Sequence, residues 1–265
     1  KLSLTLNGKM FNNEITQMPI ENATGEPKVV NISGNFAQSK GHSIFDYYIR
    51  EWAGVDPANG NPMWIEHWSD ENSNGQYDGG EGIADMLIFQ AEKPDAIIEE
   101  RITNTYANAT RKYVGKSAIP TVRGAFRLNT SYKDFSLSAQ FGYSYGGYGY
   151  DFQYSTLMTN GKVGNDSKHV DMRDRWMEPG DITSVPRLYS NDNVQVVSTS
   201  TRFLQKSDYL SLNNVRLGYN VPKEFLTKLG ISGINLWVSG DNLFLLSSRT
   251  GYIPTTSLTG ETDRY

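Results

Sequence analysis

The 265-residue chain contains no cysteine. Disulfides, thiolate metal centres and a thiol nucleophile are therefore excluded, and sulfur usage says nothing about the redox state of its compartment. An excess of basic charge is also missing: 25 Lys and Arg stand against 29 Asp and Glu, a formal net charge of −4. That balance removes the electrostatic footprint of generic nucleic-acid binding, so nucleic acid is set aside as a partner. There is no long apolar run, and with a mean hydropathy of −0.51 no transmembrane helix is expected. A membrane is not thereby excluded, because a transmembrane β-strand needs only about 9–11 residues and alternates lipid-facing with lumen-facing side chains. No initiator Met or leader precedes Lys1-Leu2-Ser3-Leu4-Thr5-Leu6, so the chain reads as a piece of something longer.

What the chain does have is aromatic and small. There are 16 Tyr, 11 Phe, 5 Trp and 25 Gly. Such a composition suits β-strands with aromatic belts, and it suits secreted β-sandwiches and carbohydrate-binding domains as well. From Val122 to Tyr132, residues Val122, Gly124, Phe126, Leu128, Thr130 and Tyr132 share one face, with Arg123, Arg127, Asn129 and Ser131 on the other. After a tight Lys133-Asp134 turn the alternation resumes through Phe135, Leu137, Ala139, Phe141, Tyr143 and Tyr145, which predicts a long antiparallel hairpin with arms of membrane-spanning length. Leu210–Val221 alternates with a phase slip at Asn213-Asn214, predicting a bulged strand, and Ile234–Gly240 alternates again. Between them Pro222–Gly230 has the start and stop residues of a short helical turn. Short strands are expected at Val29–Ala37, Ser43–Trp52, Met63–Trp68 and Asp85–Gln90. Residues 151–193 read as a long irregular stretch with helices near Tyr154–Met158 and Asp166–Trp176, of the kind found in the outer loops of outer-membrane barrels.

One string, Arg175-Trp176-Met177-Glu178-Pro179-Gly180-Asp181-Ile182-Thr183-Ser184-Val185-Pro186-Arg187, answers to no local secondary-structure rule. With Ser200–Leu204, the stretch Asp208–Pro222 and Val238-Ser239-Gly240-Asp241-Asn242-Leu243-Phe244, it resembles the C-terminal region of SusC/RagA-type TonB-dependent outer-membrane transporters. Gly54–Pro57, Gly60–Pro62, Gly115 and Pro120 fall in the family's order too, so the resemblance covers roughly residues 30–255. It implies an all-β fold, a segment of a large antiparallel transmembrane β-barrel of about 22 strands with long outer loops and short helices. Residues 1–265 would all belong to that one barrel domain, with the plug domain and the closing strand absent from the chain. Because an open sheet in lipid leaves edge N–H and C=O groups unpaired, such a piece must pair with the missing strands. The resemblance further implies an importer of oligosaccharides or peptides in the outer membrane of a Gram-negative bacterium of the Bacteroidota. Its partners would be the lipid bilayer, a SusD-like surface lipoprotein, and TonB acting through the missing N-terminal part. No enzymatic step and no required cofactor are implied. The alternative reading of the same residues is a self-contained secreted β-sandwich that binds glycans. A transporter places Phe126, Leu128, Phe135, Leu137, Phe141, Leu217, Leu236 and Val238 on a lipid-facing band, whereas a sandwich buries them between two sheets.

The sharpest local motif is Asp70-Glu71-Asn72-Ser73-Asn74-Gly75-Gln76-Tyr77-Asp78-Gly79-Gly80-Glu81, which fits the calcium-loop pattern of oxygen ligands at Asp70, Asn72, Asn74, the Gln76 carbonyl and Glu81. Ca2+ or another hard cation is one expectation and a solvated hairpin tip the other, since flanking helices are not predicted. His42, His67 and His169 lack metal-ligand spacing and read as solvent-facing. Gly146-Gly147-Tyr148-Gly149 lacks the Lys-Ser/Thr of a phosphate loop and reads as the end of a strand. Trp52, Trp64 and Trp68 suit sugar stacking, an interfacial girdle or loop packing. No catalytic constellation emerges.

Overall fold

The computed structural model describes residues 1–161, 167–189, 195–227, 230–248 and 251–255. The chain divides into two compact units. One comprises residues 1–12, 119–149 and 205–265, the other residues 13–118 and 150–204.

The first unit is a five-stranded antiparallel sheet of β1 (Leu2–Lys9), β2 (Val122–Tyr132), β3 (Phe135–Tyr145), β4 (Tyr209–Asn220) and β5 (Asn235–Ser247), in that spatial order. Both hairpin arms have the predicted bounds, because strict alternation over eleven residues leaves one register that keeps the apolar set together. Register then propagates that set across the sheet. Leu4 pairs with Leu128, Leu128 with Ala139, Ala139 with Val215 and Val215 with Gly240, while Phe126 pairs with Phe141 and Phe141 with Leu212. The opposite face carries Ser3, Arg127, Asn129, Ser138, Gln140, Asn214 and Arg216 in the same manner. The bulge falls where the phase slip placed it. Asn213 is skipped in both pairings of β4, and Asn242 and Leu243 are skipped opposite it on β5, with Asn242 at φ 51°. The extra residues return Val215, Leu217 and Tyr219 to the face of Leu210 and Leu212. β5 accordingly runs past Gly240, where the alternation ended, through the bulge to Ser247.

Between β1 and β2, Gly8 stands opposite Gly124. A Cβ on either glycine would lie 2.8 Å from the Tyr143 hydroxyl, which donates to the Asn7 carbonyl at 3.2 Å. The glycines make room for an aromatic ring that covers the backbone they leave bare.

The connections are asymmetric. β2 and β3 are joined by Lys133-Asp134, and β4 and β5 by a short stretch containing the helix Lys223–Leu226. At the other end of the sheet, where Lys9 pairs with Arg123 and Tyr209 with Ser144, the chain leaves for residues 13–118 and again for 150–204. Short turns at one end and long excursions at the other are the pattern of outer-membrane barrels.

Those excursions build the second unit. One sheet contains Asn31–Ser33, Phe36–Gln38, Asp46–Arg50 and Arg111–Ser117, and another contains Trp52–Val55, Pro62–Trp68, Gly82–Ile83 and Glu99–Thr103. Tyr47, Tyr48, Ile49, Trp64, Tyr150 and Phe203 are its buried core. Two expectations change here. Asp85–Gln90 is not a strand: Asp85 caps the helix Met86–Glu92, its carboxylate accepting from the Ile88 N–H at 3.2 Å. The helix expected near Asp166–Trp176 is a 3-10 turn at Val170–Asp174 capped by His169, and Asp166 lies outside the described residues. The helix near Tyr154–Met158 is present as Phe152–Leu157, again with an aspartate cap, Asp151 accepting from the Tyr154 N–H at 2.9 Å.

Candidate functional site

Three places carry chemistry. The first is the apolar face of the five-stranded sheet. None of Phe126, Leu128, Phe135, Leu137, Phe141, Leu217, Leu236 and Val238 is buried; Leu217 is 45% exposed and Val238 64%. All eight lie on one face by register. Phe126 stacks on Phe141 with centroids 4.6 Å apart, and Phe135 meets Tyr219 at 4.7 Å, so the face is a continuous aromatic and aliphatic surface. A sandwich core would bury these side chains, and an apolar face of this extent left open to water is a strong aggregation liability. Facing hydrocarbon, the same surface is in its proper solvent.

The second place explains the odd motif, which folds onto the Asp56–Pro62 turn. Trp176 donates its indole N–H to the Pro57 carbonyl at 3.0 Å, and the Gly180 N–H reaches the same carbonyl at 2.8 Å. Farther along, the Arg187 N–H binds the Gly60 carbonyl at 3.1 Å, and Tyr189 donates its hydroxyl to Asn61. Gly60 has φ 71°, and a Cβ there would stand 2.5 Å from the Trp176 ring. The Asp181 carboxylate accepts from the Met177 and Glu178 N–H groups at 2.8 and 3.0 Å, which holds its pKa below the usual carboxylate value and closes the turn around Pro179-Gly180. The motif is a clasp between two stretches of chain far apart in sequence.

Beside that clasp opens a cleft of about 340 Å3, the third place. Trp64, Asn104, Tyr106, Arg187, Tyr189 and Gln195 are among its walls. Trp64 is 1% exposed and packs edge-on against both Trp52 and Tyr106. The tryptophan cluster is thus loop packing, with Trp68 buried against Tyr77 in the same way. Arg202, above Trp52 at 4.9 Å and donating to the Val196 carbonyl at 2.8 Å, is buried deeply enough that its pKa falls to about 10. It stays charged.

The Asp70–Glu81 loop closes on itself. Asp70 accepts from the Asn74 and Gly75 N–H groups at 3.1 and 2.7 Å, which lowers its pKa, with the Gly75 bond the largest cause. Asn72 accepts from the Asn74 N–H at 3.0 Å, and Asn74 from the Gln76 N–H at 2.7 Å. Glu81 accepts from the Asp78 N–H at 2.7 Å and the Glu71 N–H at 3.2 Å. Its flanks are the strand Pro62–Trp68 and the two-residue strand Gly82–Ile83, not the two helices of an EF-hand. Among the described residues no group of three or more His, Cys, Asp or Glu is placed to hold a metal ion. The Gly146 N–H binds Asp208 at 2.6 Å at the end of β3, in keeping with a strand end.

Of the histidines, His67 corrects the expectation of solvent exposure. It is buried in Pro62–Trp68, with Nε2 3.0 Å from Glu100 and 3.3 Å from the Lys112 ammonium. Burial, and then the Lys112 charge, lower its pKa, so it is held neutral. The strand that brings Glu100, Glu99–Thr103, is rich in charge and gave no alternation to find it by. His42 stacks on Tyr113 with centroids 3.7 Å apart, and His169 accepts from the Asp171 N–H at 3.2 Å.

No known family profile matches the chain. It is 27% identical over 215 residues to TonB-dependent receptor P3 of Formosa agariphila, covering 81% of this chain and 19% of that protein. It is 28% identical over 171 residues to TonB-dependent receptor P39 of the same bacterium, covering 63% of this chain and 16% of the relative. The chain therefore spans a small part of the curated relatives it matches. Among solved structures it matches the RagAB peptide transporter with a TM-score of 0.70 at 22% identity, over 96% of this chain and 24% of that one. The closed-closed state of the RagAB peptide importer matches with a TM-score of 0.64 at 20% identity. These likenesses bear out the resemblance read from the motifs and the segment of a large antiparallel barrel that it implies. The relatives are receptors and transporters, not enzymes.

Proposed function

We propose, on the premise that the chain is a barrel segment of a TonB-dependent receptor of the SusC/RagA type, that it forms part of the wall and outer loops of an outer-membrane nutrient importer. The observation that carries the reading is the five-stranded sheet. Its strands approach or reach membrane-spanning length, one face is apolar and unburied, and all its long connections leave from one end. In this reading both compact units, residues 1–265, belong to one barrel domain. The sheet faces lipid on one side and the lumen on the other, while residues 13–118 and 150–204 stand on the cell surface. There they meet a SusD-like lipoprotein that captures oligosaccharide or peptide and covers the barrel mouth. TonB energises transport through a part of the protein outside this chain.

The test is extraction of native outer membranes with detergent and capture with an antibody against this chain. A species in the outer-membrane fraction that brings a surface lipoprotein with it, and whose loss stops uptake of one oligosaccharide or peptide nutrient, is the expected result. A protein confined to the soluble fraction contradicts the reading. Calcium at Asp70–Glu81 remains part of the proposal, supported by the oxygen-only donor set at Asp70, Asn72, Asn74, Gln76 and Glu81. Millimolar calcium is expected to protect that loop in the whole receptor from proteolysis, and protection unchanged by calcium removes the ion from the account.

A further inference from the structure

We infer that the cleft walled by Trp64, Asn104, Tyr106, Arg187, Tyr189 and Gln195 is a subsite for the carboxylate of an acidic sugar residue. The inference rests on the importer reading and names the class of substrate that this part of the surface takes. Two donors in the cleft walls have no acceptor among the described residues: the buried indole N–H of Trp64 and the buried Nε of Arg187. A buried donor left unpaired costs free energy, and each such group in a native fold calls for something that completes it.

Among the described residues of the lining, Arg187 is the only charged side chain. Its guanidinium lies 4.6 Å from the Tyr189 ring centroid, and no carboxylate among the described residues forms an ion pair with it. Its backbone is fixed at both ends: the N–H binds the Gly60 carbonyl at 3.1 Å and the C=O accepts from Asn160 at 3.1 Å. A positioned guanidinium, stacked on an aromatic face and lacking a counter-charge, is the group that recognises a planar carboxylate through two parallel bonds.

The rest of the lining favours a sugar over a peptide terminus. Asn104 uses its amide N–H on the Pro62 carbonyl at 2.9 Å, which orients the side chain while leaving its oxygen to accept. With Gln195 it offers a mixed donor and acceptor rim suited to hydroxyl groups. The rings of Tyr106 and Tyr189 supply flat apolar surface for the body of a pyranose. The volume falls within the range of about 300–1,000 Å3 typical of small-ligand sites.

The experiment is calorimetric titration of the detergent-extracted whole receptor with trigalacturonate, its methyl ester, a neutral maltotriose and a tripeptide with a free C-terminus. Trigalacturonate is expected to bind, and the ester and maltotriose to bind at least about tenfold more weakly, as loss of a charge-assisted pair requires. Arg187→Gln is expected to cause a loss of similar size for trigalacturonate alone, with partial recovery in Arg187→Lys. Equal binding of acid and ester to the unaltered receptor overturns the inference without recourse to any variant that fails to fold. Arg187-dependent binding of the tripeptide in place of the sugar overturns it as well. A receptor resident in the outer membrane that ignores uronates refutes the subsite alone. One that binds uronates but is absent from the outer membrane refutes the importer alone.

Discussion

Arginine in place of Leu128 is expected to prevent the receptor from assembling in the outer membrane, while arginine at the adjacent Asn129 is expected to leave assembly intact. Leu128 lies mid-strand in β2 between Leu4 and Ala139 on the apolar face, and Asn129 lies between Ser3 and Ser138 on the polar one. A charged side chain at the bilayer midplane of a barrel costs about 2–4 kcal/mol, whereas the same change on the lumen side alters selectivity more than stability. With net stabilities of order 5–15 kcal/mol that penalty is a large share. The measurement is the amount of each variant, Leu128→Arg and Asn129→Arg, in the outer-membrane fraction. Equal amounts would show that the two faces meet the same solvent.

A second large effect is expected at Gly60. Its φ of 71° belongs to the left-handed region, where a β-branched residue is strained by about 1–3 kcal/mol. A Cβ would also stand 2.5 Å from ring atoms of Trp176, in a clasp that has little freedom to give because Trp176 is itself tied to Pro57. Gly60→Val therefore displaces the Trp176–Arg187 stretch from the Asp56–Pro62 turn. Limited trypsin digestion of the whole receptor is expected to cut near Arg173 and Arg175 much faster in this variant. Gly79→Ala, at a position with no heavy atom near the added methyl, serves as the control and keeps the digestion rate of the unaltered receptor. Identical digestion of all three proteins would remove the clasp from the account.

The sheet was legible in the sequence where period-2 alternation ran uninterrupted, as in Val122–Tyr132 and Phe135–Tyr145, and even the bulge showed as a slip at Asn213-Asn214. It failed where pattern was absent. Met86-Leu87-Ile88-Phe89 is a continuous apolar run that fits strand or helix equally, and only the Asp85 cap, seen in three dimensions, decides for the helix. Glu99–Thr103 carries charge where a strand signal would be apolar, so both that strand and the burial of His67 behind Glu100 were hidden. The resemblance located the Arg175–Arg187 string without explaining it. Its reason lies in Gly60 and Pro57, a pairing no local rule reaches. The Trp64 and Arg187 cleft was hidden for the same cause, since its two donors, unpaired among the described residues, come from separate stretches of chain that meet only on folding.

The central claim is that one face of this sheet meets hydrocarbon. This chain has no cysteine of its own, so in a receptor cleared of any cysteine outside it, single cysteines placed along β2 can each carry a spin label that reports its solvent. The account predicts a strict two-residue alternation in the reconstituted receptor. Labels at Phe126, Leu128 and Thr130 are relaxed by oxygen dissolved in lipid, and labels at Arg127, Asn129 and Ser131 by a water-soluble nickel chelate. Water access at all six positions, or no alternation between them, would contradict it.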